Sequence, residues 1–117
     1  MVTMSKNDII TQDNMRISKA HMYDVVALGE LLIDFTTQAT DPDGYPTMAA
    51  HPGGAPANFL AAIAKFGGKA ALLGKVGTDT FGKLLTDTLR KAGIETKGLV
   101  ASDELFTTLA FVTLDEN

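Results

Sequence analysis

Apolar and polar positions follow two rhythms along this chain, and the rhythm changes wherever glycine or proline intervenes. Val25-Val26-Ala27-Leu28 is a continuous apolar run closed by Gly29, the pattern of a strand covered on both faces in a parallel sheet. A second run, Leu31-Leu32-Ile33, ends at Asp34. From Thr36 to Ala50 the chain is polar and turn-rich, and Asp41-Pro42-Asp43-Gly44 is its strongest turn signal. His51-Pro52-Gly53-Gly54-Ala55-Pro56-Ala57-Asn58 then opens a helix on which Phe59, Leu60, Ile63, Ala64 and Phe66 recur at helical spacing, and Gly67-Gly68 closes it. Pro56 suits a first-turn position, where a missing N–H costs nothing. Ala70 to Val76 reads as another buried strand. Gly77-Thr78-Asp79 leads into a second helix with an apolar face of Phe81, Leu84, Leu85, Leu89 and Ala92, ended by Gly93, with Thr78 or Asp79 as N-cap. Ile94 to Val100 is a short connection or strand, and Phe106 to Leu114 is a strand. Strands alternating with helices argue for an α/β sheet with right-handed crossovers.

Composition narrows the picture. The chain has 117 residues, one small domain's worth. Ten basic against fourteen acidic residues leave a net charge of −4, so neither nucleic acid nor an anionic membrane is an expected partner. The absence of cysteine removes disulfides, thiolate metal sites and cysteine nucleophiles. No apolar run is long enough to span a bilayer. Residues 1–22 lack a period and read as a flexible extension without the apolar core of a signal peptide, so the expected location is cytoplasmic. Two helices are thin cover for a parallel sheet, which points to the N-terminal portion of a longer protein.

Candidate chemistry lies in the middle of the chain, where eight of the eleven glycines fall between Gly44 and Gly82. Gly77 to Leu84 fits the phosphate-loop pattern G-x-x-x-x-G-K but places Leu84 where magnesium needs Ser or Thr. Asp34 follows an apolar strand and is costly to bury unpaired; it is either a ligand-binding carboxylate near the crevice of the sheet or an ordinary loop aspartate. Gly53-Gly54 exposes backbone groups at a helix N-terminus, and Asn58 on the first turn adds an amide donor and acceptor. With no Arg or Lys in that segment, the set suits a neutral polyhydroxyl ligand better than an anion. A tight turn with a surface Asn58 is the alternative. The Asp-x-Asp-Gly piece lacks the rest of a calcium loop. His21 and His51 have no metal-like spacing and read as surface residues, and Asp103-Glu104 reads as a solvated turn.

Taken together, Gly29-Glu30-Leu31-Leu32-Ile33-Asp34-Phe35, Pro52-Gly53-Gly54-Ala55-Pro56-Ala57-Asn58 and Gly74-Lys75-Val76-Gly77-Thr78-Asp79-Thr80-Phe81-Gly82 resemble the N-terminal part of ribokinase-like sugar kinases of the phosphofructokinase-B type, closest in wording to bacterial fructokinases. Thr107-Thr108-Leu109-Ala110-Phe111-Val112 matches in place. The resemblance runs from about Tyr23 to the end of the chain. It implies the N-terminal part of a ribokinase-like three-layer α/β/α sandwich over residues 23–117, with a small β lid from segments near 36–50 and 106–114. It implies phosphoryl transfer from ATP, with Mg2+, to a sugar such as fructose, and a homodimer through the lid. By match to the family's motif, Asp34 and Asn58 bond sugar hydroxyls and Gly53 and Gly54 let the backbone approach the sugar. Gly77 to Gly82 then matches a structural strand-to-helix signature and displaces the phosphate-loop reading. The family's catalytic aspartate lies in a C-terminal Gly-Ala-Gly-Asp motif, absent from these 117 residues. The chain alone is therefore expected to be inactive and to contribute no catalytic residue and no metal ligand. A non-catalytic sugar-binding or dimerisation module and a nucleoside kinase of the same fold are the alternatives.

Overall fold

The computed structural model describes residues 22–113; of the extension expected over residues 1–22, all but Met22 lies outside them. The element order is β1 (Val25–Leu28), β2 (Leu32–Thr40), β3 (Pro46–Gly53), α1 (Ala55–Lys65), β4 (Ala70–Gly77), α2 (Thr80–Lys91), β5 (Ile94–Glu95), β6 (Leu99–Ser102) and β7 (Thr108–Val112). They form two sheets. In the first, β4 is central and all pairings are parallel: β1 lies along one edge, and β5 and then β6 follow one another along the other. In the second, β2 is central, antiparallel to β3 and parallel to β7.

Both helices lie on one face of the parallel sheet. Val25 and Ala27 of β1 and Ala70, Leu72 and Val76 of β4 point into a single core with Leu60 of α1 and Leu85 and Leu89 of α2, as the period of two along a strand requires. The opposite face carries Val26, Leu28, Leu73 and Val100, all exposed and Leu28 by 80%. Of the expected sandwich, the described residues thus supply one helical layer and the sheet, with the second apolar face uncovered.

The expected strands and helices appear, with corrections in their phase. The turn at Asp41 forms as anticipated: its carboxylate accepts from the backbone N–H of Asp43 and Tyr45, closing the β2–β3 hairpin. His51, Pro52 and Gly53 are not a helical lead-in but the end of β3. Asp34 does not follow a strand; it is the third residue of a nine-residue one. Phe59 and Phe66 do not face the core. Phe59 is half exposed and Phe66 is 90% exposed. Leu60, Ile63 and Ala64 share the inner stripe of α1, which rotates Phe59 out by one helical position, and Phe66 is the C-cap residue, beyond the last turn. Leu84 is likewise turned partly outward beside the buried Leu85.

This difference is measurable. Leu60→Ala, at a fully buried position, should cost about 2–5 kcal/mol in urea denaturation, whereas Phe66→Ala should cost less than about 0.5 kcal/mol. Comparable losses at both positions would contradict the packing.

Candidate functional site

The carboxyl ends of β1 and β4, the N-termini of both helices and the root of the second sheet meet at one end of the molecule. β1 ends at Leu28, and the Gly29 N–H continues its pairing by donating to the Leu73 carbonyl at 3.1 Å. The chain turns through Glu30 into β2. Gly54, which links β3 to α1, lies against this turn. It has φ 111°, and a Cβ there would sit 2.6 Å from the Glu30 carbonyl oxygen, so only glycine is free of strain at this corner. Pro56 occupies the first turn of α1.

Asp34 and Gly53 are brought together directly. Gly53 pairs with Leu32 and Asp34 with His51 across β2 and β3. Side chains two residues apart on one face are diagonal neighbours, so any Cβ on Gly53 would run into the Asp34 carboxylate. On its other side Asp34 pairs with Ala110 of β7. A bare glycine, a histidine and a small alanine therefore surround the carboxylate on its face of the sheet. Among the described residues no hydrogen bond or ion pair engages it. Ile33 and Phe35, on the opposite face, turn inward: Ile33 is fully buried, and the Phe35 ring meets Phe81 of α2 edge-on at 5.6 Å and stacks on Phe111 at 5.2 Å.

Asn58 lies one turn into α1, its backbone N–H bonded to the Gly54 carbonyl at 3.0 Å. It lines, with Gly53 and Pro52, the rim of a small cavity of about 70 Å³ whose depth is apolar, with Leu31, Leu85 and Leu89. Gly53 lines this cavity together with Asn58 and is also the residue against which the Asp34 carboxylate is seated, but Asp34 itself does not line the cavity. His51 is the residue that motif spacing passed over. Its position opposite Asp34 follows only from strand register, and no local pattern carries that signal.

The Gly77–Gly82 segment binds protein, not phosphate. Asp79 caps α2: its carboxylate accepts from the Gly82 N–H at 2.9 Å. The same carboxylate accepts from the backbone N–H of Thr107 at 2.8 Å and from the Thr107 hydroxyl at 2.9 Å. The Thr107 oxygen in turn accepts from the Gly77 N–H at 3.0 Å. The approach leaves no room for side chains at Gly77, where a Cβ would lie 2.8 Å from the Thr107 nitrogen. These bonds, the Thr107 N–H foremost, hold the Asp79 carboxyl below its ordinary value of 3.8.

A roomier cleft of about 430 Å³ lies at the other end of the strands, lined by Tyr23, Lys69, Arg90 and Glu95 among others. It contains none of the four candidate residues. Among the described residues no group of His, Cys, Asp and Glu could hold a metal ion, and no helix is long and apolar enough to cross a membrane.

Comparison with known proteins gives a consistent result. The family model for pfkB family carbohydrate kinases matches residues 22–117. A probable fructokinase-3 of Arabidopsis thaliana is 44% identical over 92 residues, which are 77% of this chain and 27% of that protein. The crystal structure of fructokinase from Xylella fastidiosa superposes with a TM-score of 0.74 at 39% identity, over 78% of this chain and 28% of that one. A putative ribokinase II from E. coli, solved in complex with ATP and Mg2+, superposes with a TM-score of 0.69 at 28% identity, over 79% and 31%. The chain therefore spans little more than a quarter of the length of the relatives it matches. The architecture matches their ribokinase-like sandwich with its β lid, the second sheet here.

Two outcomes test this geometry. Gly53→Ala should push the Asp34 carboxylate aside, because the new methyl and that carboxylate claim the same space; a side chain can swing, so the cost in urea denaturation should not exceed about 1.5 kcal/mol, and a larger loss would show that Asp34 is locked in place. Asp79 has a folded-state value below its unfolded one, so its contribution is complete above pH 3.8 and is lost as pH falls below that value. Asp79→Asn should therefore be less stable than wild type at neutral pH, with the gap narrowing in acid. A gap that stays constant down to about pH 2 would show that the carboxylate is not so held.

Proposed function

The chain belongs to the pfkB family of carbohydrate kinases, and we propose that it carries the sugar-side half of a site in which the γ-phosphoryl group of ATP is transferred to a sugar hydroxyl. The observation that carries this reading is the Asp34 carboxylate, seated against Gly53 and left without a protein partner among the described residues. A carboxylate so placed accepts hydrogen bonds from hydroxyl groups, each worth about 1.5–3 kcal/mol. By the family resemblance Gly53 and Gly54 let a sugar approach the backbone of the β3–α1 corner; what supports their part here is that Gly53 seats the Asp34 carboxylate and Gly54 turns the chain beside Glu30. Asn58, exposed on the first turn of α1, offers an amide to a further hydroxyl. Fructose is the substrate favoured by the names of the similar proteins.

The chain's own part in such a reaction is positioning, which dominates phosphoryl transfer. Asp34 and Asn58 orient the hydroxyls, and the second sheet acts as a lid that excludes water, so that transfer to sugar outruns hydrolysis. ATP with Mg2+ supplies the phosphoryl group and the charge neutralisation. Among the described residues no three His, Cys, Asp or Glu side chains gather into a metal cluster, and neither ion nor nucleotide is assigned to a residue here. The lid also supports a homodimer. Leu109 and Phe111, 40% and 64% exposed, lie on the lid face away from Asp34 and offer an apolar contact to a second copy.

Calorimetry with fructose tests the sugar reading. Asp34→Ala should lower affinity roughly ten- to hundredfold, the loss of one charge-assisted hydrogen bond; equal affinity in both chains would sink it. Mixed with ATP and fructose, the 117-residue chain should release no ADP above a blank, since no general base is assigned within it, and clear turnover would refute that assignment.

A further inference from the structure

The lid is joined to the body at three places, and they differ in kind. β2 passes straight from the core, at buried Ile33, into the lid. β3 leaves through the left-handed corner at Gly54. β7 enters through Thr107, which is itself 4% exposed and precedes the first paired residue, Thr108. β7 is the edge strand of its sheet. Besides its pairing with β2, its root is fixed by the bonds of Thr107 to Asp79 and Gly77. Three residues after that anchor, Ala110 sits beside Asp34, and one further on Phe111 stacks on Phe35.

We propose that Asp79 is a positioning residue for the sugar site: its carboxylate clamps the root of the lid strand β7 to the cap of α2, and so sets where that strand lies beside Asp34. The proposal rests on the sugar-binding reading of Asp34 and adds a residue that touches no substrate. Asp79 makes two sets of bonds from one carboxylate. Oδ1 serves the Gly82 N–H and the Thr107 hydroxyl, and Oδ2 serves the Thr107 N–H alone. The Thr107 N–H bond of the clamp is therefore separable from the cap. Asparagine is as good an N-cap as aspartate. With its oxygen toward Gly82, its NH2 group would face the Thr107 N–H, donor against donor. Asp79→Asn thus keeps the helix start and the bond from the Thr107 hydroxyl, and breaks the N–H half of the anchor.

The test combines hydrogen exchange and fructose calorimetry on the full chain, at a temperature where circular dichroism shows each variant folded. In Asp79→Asn, amides of β7 should exchange about tenfold faster, amides of Leu85 and Leu89 in α2 should be unchanged, and fructose affinity should fall about tenfold. Thr107→Val removes the hydroxyl and leaves the backbone N–H, and should show the same changes to a smaller extent; Thr107→Ser, which retains both donors, should behave as wild type. Should Asp79→Asn fail to fold, the Val and Ser pair decides alone. The proposal is overturned if β7 keeps its protection in the variants, if α2 loosens as much as β7, or if β7 loosens with no change in affinity. A wild-type chain that binds no fructose would remove the sugar reading of Asp34, and with it the role given to Asp79, whereas a wild type that binds and an Asp79→Asn chain that binds equally well would remove the role of Asp79 alone.

Discussion

Consecutive side chains of a strand point to opposite faces, and β2 uses that constraint at the boundary between core and cleft. Ile33 is fully buried against both helices. Asp34, its neighbour, must then face the other way, and Phe35 must return to the side of Phe81. Burying Ile33 thus fixes where the carboxylate points, because a slip of one residue would put Asp34 in the core, at the cost of an unpaired buried charge. The hydrophobic core and the polar site are two readings of a single register.

The surroundings of that carboxylate follow from close approach. Gly53 opposite Leu32 and Ala110 opposite Asp34 are small, so the strands leave space at the face where Asp34 emerges. The larger groups, Phe35, Phe81 and Phe111, are gathered on the reverse face, where ring packing stiffens the root of the lid. At the neighbouring corner, Asp79 spends its hydrogen-bonding capacity on the protein itself, while Asp34 has no partner among the described residues. The two aspartates have similar local sequence settings, each close to a strand end and ahead of a phenylalanine, and only their tertiary surroundings separate a carboxylate bonded within the protein from one without a protein partner among the described residues.

That contrast marks how far the chain could be read from its residues. β1, β4 and the two helices are local patterns, a β-branched run or a 3.6-residue stripe bounded by glycine, and they appear where expected. The helix phase was less legible. Phe59 and Phe66 are as apolar as Leu60, and only the sheet beneath α1 decides which side is wet. The second half of β2, with Thr36, Thr37 and Gln38, has no apolar run at all; it is a strand because β3 runs beside it, with β7 reaching as far as Thr36. The pairing of β7 with β2 joins residues 76 positions apart, and His51 acquires its place beside Asp34 only through β2–β3 register. Such long-range partners leave no periodic trace, and the lid was foreseeable only through resemblance to a family.

The uncovered side of the parallel sheet has a consequence for handling the polypeptide. Val26, Leu28, Leu73 and Val100 form an oily strip in water, and attraction between such strips strengthens on warming from the cold and in the presence of sulfate. Cool, dilute, low-salt solution is therefore the condition in which that strip draws copies of this chain together least.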